Sequence, residues 1–358
     1  MARPRKVHQL LAALSYGDAV SNDALALQAY LREAGILSDI FAEQAHPRMA
    51  RRCRRLWEYA AESGPDTVCL YHFSIGSAAS RYIFHAPDRL VIRYHNITPG
   101  RFFAPFLPHL ARQVEDGRRQ LELFAKRSAL GLGVSEFNRR ELQAAGYART
   151  GVFPIVPALT ERRGAGRPVV RRLFRDGRTN LLFVGRVICN KKIEDLLRMF
   201  AVYQRYLDPK SRLLVVGDTW GYEGYSLPLQ NMARELGLED VVFTGQVEDD
   251  ELPELYAAAD AFVCLSEHEG FCVPLLEAMS FGVPVLAYDA GAVAETLDGG
   301  GVLLKTKEPL VLAELVHAVV KDQALRAAVL ATQERTLLRS RERSARLRLV
   351  DALAPVLE

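Results

Sequence analysis

Residues 262–291 read FVCLSEHEGFCVPLLEAMSFGVPVLAYDAG, and the fold class is decided there. The apolar run Ala261 to Leu265 is bounded by polar residues, as a buried strand is. Val285 to Tyr288 forms a second such run after the Gly282-Val-Pro284 punctuation. A short helix fits between them. Pro274 suits the first helical position, where a missing N–H costs nothing, and Gly282 suits the position just past the end. The helix is therefore expected to begin near Val273.

A helix start that follows a buried parallel strand presents unpaired N–H groups and the positive end of the helix dipole, a ready site for a phosphate. Glu269 lies on the loop before that end and Glu277 just inside it. A glutamate in the first turn of a helix commonly does no more than complement the dipole. Two carboxylates beside a diphosphate are repelled by it unless they accept hydrogen bonds from uncharged hydroxyls of the same ligand. A nucleotide sugar carries sugar hydroxyls on one side of its diphosphate and ribose hydroxyls on the other.

Glu269-Gly-Phe-Cys-Val-Pro-Leu-Leu-Glu277, continued by Ala-Met-Ser-Phe-Gly-Val-Pro-Val, resembles the E-x7-E signature of retaining glycosyltransferases of family 4. The resemblance implies an α/β fold of the GT-B class, two Rossmann-like doubly wound domains facing each other across a cleft. By the same resemblance Glu269 contacts donor-sugar hydroxyls and Glu277 the ribose, while Gly270, Phe271, Cys272 and Val273 form the helix start at the diphosphate.

Other stretches extend the pattern. Lys6 to Ser15 reads as a first strand, followed by a turn at Gly17 into an amphipathic helix ending at Gly35. The family usually carries a second adjacent glycine in that turn; here Asp18 stands in its place. Asp18 or Asn22 suits acceptor hydroxyls, while Ser21 or Asn22 suits helix capping. Strands are expected at 38–42, 66–73, 89–94, 130–134 and 152–156. The strand over 89–94 delivers His95 at its carboxyl end, where open α/β sheets put their sites. In the resembled family a histidine there faces the cleft near the transferred sugar and the acceptor. Residues 46–59, with five arginines around Met49, Leu56 and Trp57, read as a basic amphipathic helix, suited to a solvated face or to an anionic membrane surface. The aromatic loop 101–107 fits either packing on its own domain or holding an acceptor.

In the second half, Gly185 and Arg186 close a strand over 180–184, and Lys191 follows before a helix over 193–206. Arg186 as a bidentate fork and Lys191 as a point charge can converge on one diphosphate. The family has Arg and Lys at this spacing, usually with glycine after the lysine; Lys192 here leaves two adjacent candidates. Gln246 and Val247, in the turn of a strand-plus-turn stretch over 241–247, line the nucleotide base by resemblance. The expected domains are 1–158 on the acceptor side, a linker over 159–178, a donor-binding domain over 179–334, and a terminal helix over 335–358 crossing back to the first domain.

Composition agrees with two ordinary globular domains. The chain has 358 residues, 49% apolar and 25% charged, with a net charge of +3, too small to argue for nucleic acid. Five scattered cysteines without C-x-x-C spacing read as free thiols in a reducing cytoplasm, with no zinc site implied. No apolar run is long enough to span a bilayer. The sequence thus leads to the expectation of a cytoplasmic, metal-independent hexosyltransferase without a cofactor, acting on a nucleotide-sugar donor and a glycan or lipid-linked acceptor, with association at the inner membrane face left open. The resemblance places it in surface polysaccharide or glycolipid assembly. A glycoside hydrolase has no need for Arg186 and Lys191. A sugar-nucleotide epimerase or a noncatalytic nucleotide-sugar-binding subunit are the alternatives carried.

Overall fold

The computed structural model describes residues 6–155, 168–346 and 349–357. Residues 159–167 of the expected linker lie outside them. Met1–Arg101, Pro108–Val156 and Glu342–Glu358 form one compact unit, and Phe102–Leu107 with Pro157–Arg341 form the other.

The first unit holds strands β1 Lys6–Leu14, β2 Ile40–Ala45, β3 Arg54–Arg55, β4 Thr67–Phe73, β5 Arg89–Tyr94, β6 Leu130–Gly133 and β7 Thr150–Val152. They pair in parallel in the order β3-β2-β1-β4-β5-β6-β7. Helices cover both faces of such a sheet, so a central strand such as β4, TVCLYHF, is buried along its whole length. The second unit holds β8 Thr179–Val184, β9 Ser211–Val216, β10 Val241–Gly245, β11 Ala261–Cys264, β12 Val285–Tyr288 and β13 Val302–Leu304. Their order, β10-β9-β8-β11-β12-β13, repeats the same winding, again in parallel. Strand order reverses beside β1 in one sheet and beside β8 in the other.

The chain's last helix, Leu349–Leu357, belongs to the first unit. Leu349, Leu353 and Val356 are buried in a cluster with Val7, Leu31, Val68 and Val91, and the Arg89 guanidinium donates to the Val356 carbonyl at 3.0 Å. Phe102–Leu107 packs within the second unit, Phe102 against His268 and Phe106 against Tyr225.

Several boundaries differ from expectation. Residues 46–59 are no continuous helix but two 3-10 helices, Pro47–Arg52 and Leu56–Ala61, separated by the edge strand β3. Pro47 has no N–H to donate, and Cys53 is extended, letting Arg54–Arg55 pair with Phe41–Ala42. The strand expected over 152–156 is β7, ending at Val152. Pro168–Phe174 is helical where linker was expected. The helix from Ile193 runs to Val202 and then widens into one π turn, Tyr203–Leu207. The terminal helical region starts at Gln323 rather than 335 and contains two helices, Gln323–Arg346 and Leu349–Leu357.

Candidate functional site at the switch point of the second sheet

Loops that leave the carboxyl ends of strands on either side of an order reversal diverge, and the crevice they leave is where open α/β sheets bind ligands. In the second unit these are the loops after β8 and β11. They carry Arg186 and Lys191 on one side and Glu269 on the other.

Backbone packing brings the loops together. Gly217, at φ 150°, lies so close to β8 that a Cβ there would sit 2.0 Å from the Gly185 carbonyl oxygen. Asn190 Nδ2 donates to the His268 carbonyl at 2.9 Å, and the Asn190 carbonyl accepts from Glu267 N–H at 2.8 Å. The Lys191 ammonium consequently meets the Glu269 carboxylate at 2.7 Å. Burial opposes the charged lysine, but Glu269 more than offsets it and the Lys191 pKa lies above its ordinary value. Lys192 is held elsewhere, 2.9 Å from Glu194 and 3.9 Å from Glu267. Of the two adjacent lysines, Lys191 is the one paired with Glu269.

Glu269 is fixed from behind as well. Its carbonyl accepts from Ala292 N–H at 2.9 Å, and Gly291, at φ 60°, packs so tightly that a Cβ there would lie 2.2 Å from that carbonyl. Gly270, Phe271 and Cys272 then lead into the helix Val273–Ser280, which begins at the expected residue and has no side-chain cap. Cys272 supplies the turn in the left-handed conformation, φ 70°. The Phe271 carbonyl accepts from the Thr296 hydroxyl.

Inside this helix Glu277 accepts from the Tyr256 hydroxyl at 2.8 Å. Burial raises its pKa to about 7, with the Tyr256 hydrogen bond pulling the other way. Arg186 is exposed at the end of β8 and donates to the Tyr222 hydroxyl at 3.2 Å. Gln246 and Val247 stand past the end of β10, the first exposed and the second half-buried.

Gly17 and His95 belong to the first unit. Gly17 makes its turn at φ 70°, and Asp18 caps the helix Ala19–Glu33 by accepting from Ser21 N–H at 3.1 Å. The cap is thus Asp18 itself rather than Ser21 or Asn22. His95 was expected to face the cleft near the transferred sugar and the acceptor, yet its side chain is only 2% exposed. It belongs to a buried polar chain. Gln9 Nε2 donates to the Ala24 carbonyl at 3.0 Å, so Gln9 Oε1 accepts from His72 Nε2–H at 2.8 Å. His72 Nδ1 then accepts from His95 Nε2–H at 2.9 Å. That sequence of donors leaves His95 Nδ1 as a lone-pair acceptor, and it is buried without a hydrogen-bond partner. Burial pushes both histidines well below the ordinary range, His95 with Arg93 adding to the effect, so both are neutral. Asp23 lies 3.6 Å from His95 but is neutralised by Arg93, which grips both its oxygens at 2.9 and 3.1 Å.

Sequence reasoning missed Tyr256, Asn190, Gly291's contact with Glu269, and the Gln9–His72–Asp23–Arg93 cluster. One signal was present: Arg93 stands inside the apolar strand RLVIRY, and a fully buried arginine needs a carboxylate.

Residues 170–334 match the family model described as Glycosyl transferases group 1. The O-antigen chain mannosyltransferase B of Escherichia coli is 27% identical over 290 residues, 77% of this chain and 69% of that protein. A GDP-mannose-dependent alpha-mannosyltransferase of Mycobacterium tuberculosis is 31% identical over 246 residues, 65% of this chain and 60% of that protein. Among solved structures, WaaG, a glycosyltransferase involved in lipopolysaccharide biosynthesis, superposes with TM-score 0.69 at 17% identity, covering 92% of this chain and 95% of its own. Anabaena HepE in complex with UDP-glucose gives TM-score 0.69 at 20% identity, with 92% and 94% covered. Two parallel α/β sheets of this winding give the chain the GT-B fold of those solved structures, and its residues 170–334 are similar to the group 1 glycosyl transferases.

Proposed function

We propose that the protein moves a hexosyl unit from a nucleotide-diphosphate sugar to a glycan or glycolipid acceptor, with retention at the anomeric carbon and without a metal ion. The observation that carries this reading is the Lys191–Glu269 pair, set at the switch point beside an uncapped helix start. One loop pair offers positive charge and N–H dipoles to a diphosphate and a carboxylate to the hydroxyls next to it.

In the proposed reaction the bond between the anomeric carbon and the diphosphate oxygen breaks, and an acceptor hydroxyl forms the new bond on the same face. Its proton passes to the departing diphosphate. Negative charge develops on the leaving group, where Arg186, Lys191 and the helix start at Phe271 to Val273 stabilise it. Glu269 holds the sugar hydroxyls, Glu277 the ribose, and Gln246 and Val247 the base; Gly185 allows the phosphate-side turn. His95 Nδ1, a buried acceptor without a hydrogen-bond partner, and Gly17 belong to the acceptor-side unit, where Gly17 shapes the turn ahead of the helix Ala19–Glu33.

Mannosyltransferases among the relatives, one of them named for GDP-mannose, make GDP-mannose the first donor to test, with UDP-hexoses beside it. Assembly of surface polysaccharide or glycolipid is the proposed setting. Among the described residues no helix is long and apolar enough to cross a membrane. Arg51, Arg52 and Arg55 are exposed near Trp57, which is 71% exposed, and they form the surface proposed to touch anionic lipid. Thermal-shift binding of a nucleotide-sugar panel, followed by transfer assays with and without chelator, tests the reading. Activity abolished by chelator and restored by manganese overturns metal independence, and donor consumption that needs no acceptor favours an epimerase.

A further inference from the structure

Cys264 ends β11 and Cys272 precedes the helix Val273–Ser280. Folding brings both thiols to Glu269: the two Sγ atoms and a carboxylate oxygen all lie within 4.8 Å of one another. These residues are 2%, 8% and 6% exposed, and both cysteines are free thiols. Cys272 holds its position in a left-handed backbone conformation that costs a non-glycine residue about 1–2 kcal/mol. Glycine would relieve that cost, so the side chain has a use that outweighs it.

Charge balance identifies the ligand class. Two thiols, one carboxylate and the Lys191 ammonium 2.7 Å from Glu269 are neutral together. A divalent cation bound to two thiolates and that carboxylate, with Lys191 kept beside it and two protons released to solvent, is neutral again. No uncompensated charge is buried in either state. Magnesium and calcium require oxygen ligands, whereas zinc takes thiolate and carboxylate in a tetrahedron. Two thiolates on one tetrahedral zinc stand about 3.8 Å apart, from a Zn–S bond of about 2.3 Å, which fits the observed spread.

We propose that Cys264, Cys272 and Glu269 bind a thiophilic divalent cation of the zinc class, with a fourth position open to water, and that this ion competes with the donor for Glu269. The competition rests on the donor-sugar role proposed for Glu269; the metal site does not.

The test titrates the full chain, reduced and freed of chelator, with Co2+ and then Zn2+. The expected result is a sulfur-to-cobalt charge-transfer absorption that Zn2+ abolishes. Cys264→Ser and Cys272→Ser each lose that band and weaken binding by more than about tenfold, while Cys53→Ser retains it. X-ray absorption on the zinc-loaded wild type, which does not depend on any variant folding, is expected to show two sulfur neighbours. A cobalt spectrum without the band, a zinc shell without sulfur, or a band that survives in both serine variants overturns the site. If the site forms but saturating Zn2+ leaves donor affinity unchanged, the competition is overturned and with it the sugar contact assigned to Glu269.

Discussion

Glu277 makes donor binding a function of pH. Its carboxyl is buried against Tyr256, with a pKa raised to about 7. A ribose that donates hydrogen bonds to this group binds the ionised form, so lowering the pH makes the free enzyme pay for ionisation before it can bind. With a pKa of about 7, roughly nine tenths of the population is ionised at pH 8 and about one tenth at pH 6. The dissociation constant of the nucleotide sugar should therefore rise about tenfold across that interval, about 1.4 kcal/mol. Isothermal titration calorimetry reads it directly. The intact nucleotide sugar must be the ligand, because its phosphates are both esterified and do not titrate here, whereas the terminal phosphate of a free nucleoside diphosphate titrates near about pH 6. His72 and His95 are held neutral by burial through this window and add no slope. Glu277→Gln should bind more weakly and lose the pH dependence. An affinity flat from pH 8 to 6 in the wild type, or an unchanged slope in Glu277→Gln, would refute the reasoning.

Other consequences can be read separately. Gly291→Ala places a methyl group 2.2 Å from the Glu269 carbonyl at a positive φ, so the Glu269 loop must shift; donor affinity by calorimetry is expected to fall while the circular dichroism spectrum is kept. Deleting residues 342–358 removes Leu349, Leu353 and Val356 from the first unit's core, an upper limit of roughly 5–9 kcal/mol of burial energy; denaturant titration should show that unit unfolding at much lower urea. The folded pKa values of His72 and His95 lie below the unfolded value of about 6.5, so the unfolded chain takes protons first as pH falls. Stability should drop by up to about 1.4 kcal/mol per pH unit for each below pH about 6.5. This is measured in a Glu277→Gln background, because the raised pKa of that carboxyl stabilises the fold as pH falls and opposes the histidines.

How much was legible depended on how local the cause was. Residues 262–291 could be read to within a residue or two because Pro274, Gly282 and two apolar runs act within a single turn of their own positions, and β12 and the start of the helix at Val273 fall where those signals put them. Residues 46–59 misled because the arginine spacing imitates a helical period, while Pro47 and the edge pairing of Arg54–Arg55 with β2 decide the backbone. Lys191 and Lys192 could not be told apart by spacing; the left-handed backbone at Lys192 turns its side chain toward Glu194. The burial of His95 was invisible for a different reason. Its partners come from β1, the helix Ala19–Glu33 and β4, and only the sheet order brings them together. The pairing of Cys264 with Cys272 is likewise a product of a strand end meeting a helix start, which scattered spacing does not reveal.

The central claim is that the loops after β8 and β11 grip a diphosphate through Lys191. The direct measurement compares Lys191→Ala with wild type for two ligands, the nucleotide sugar and the corresponding nucleoside without phosphate. A charge-assisted hydrogen bond is worth about 1.5–3 kcal/mol, so the variant should lose about ten- to a hundredfold in affinity for the nucleotide sugar and nothing for the nucleoside. Equal losses for both ligands, or no loss for either, would contradict the account.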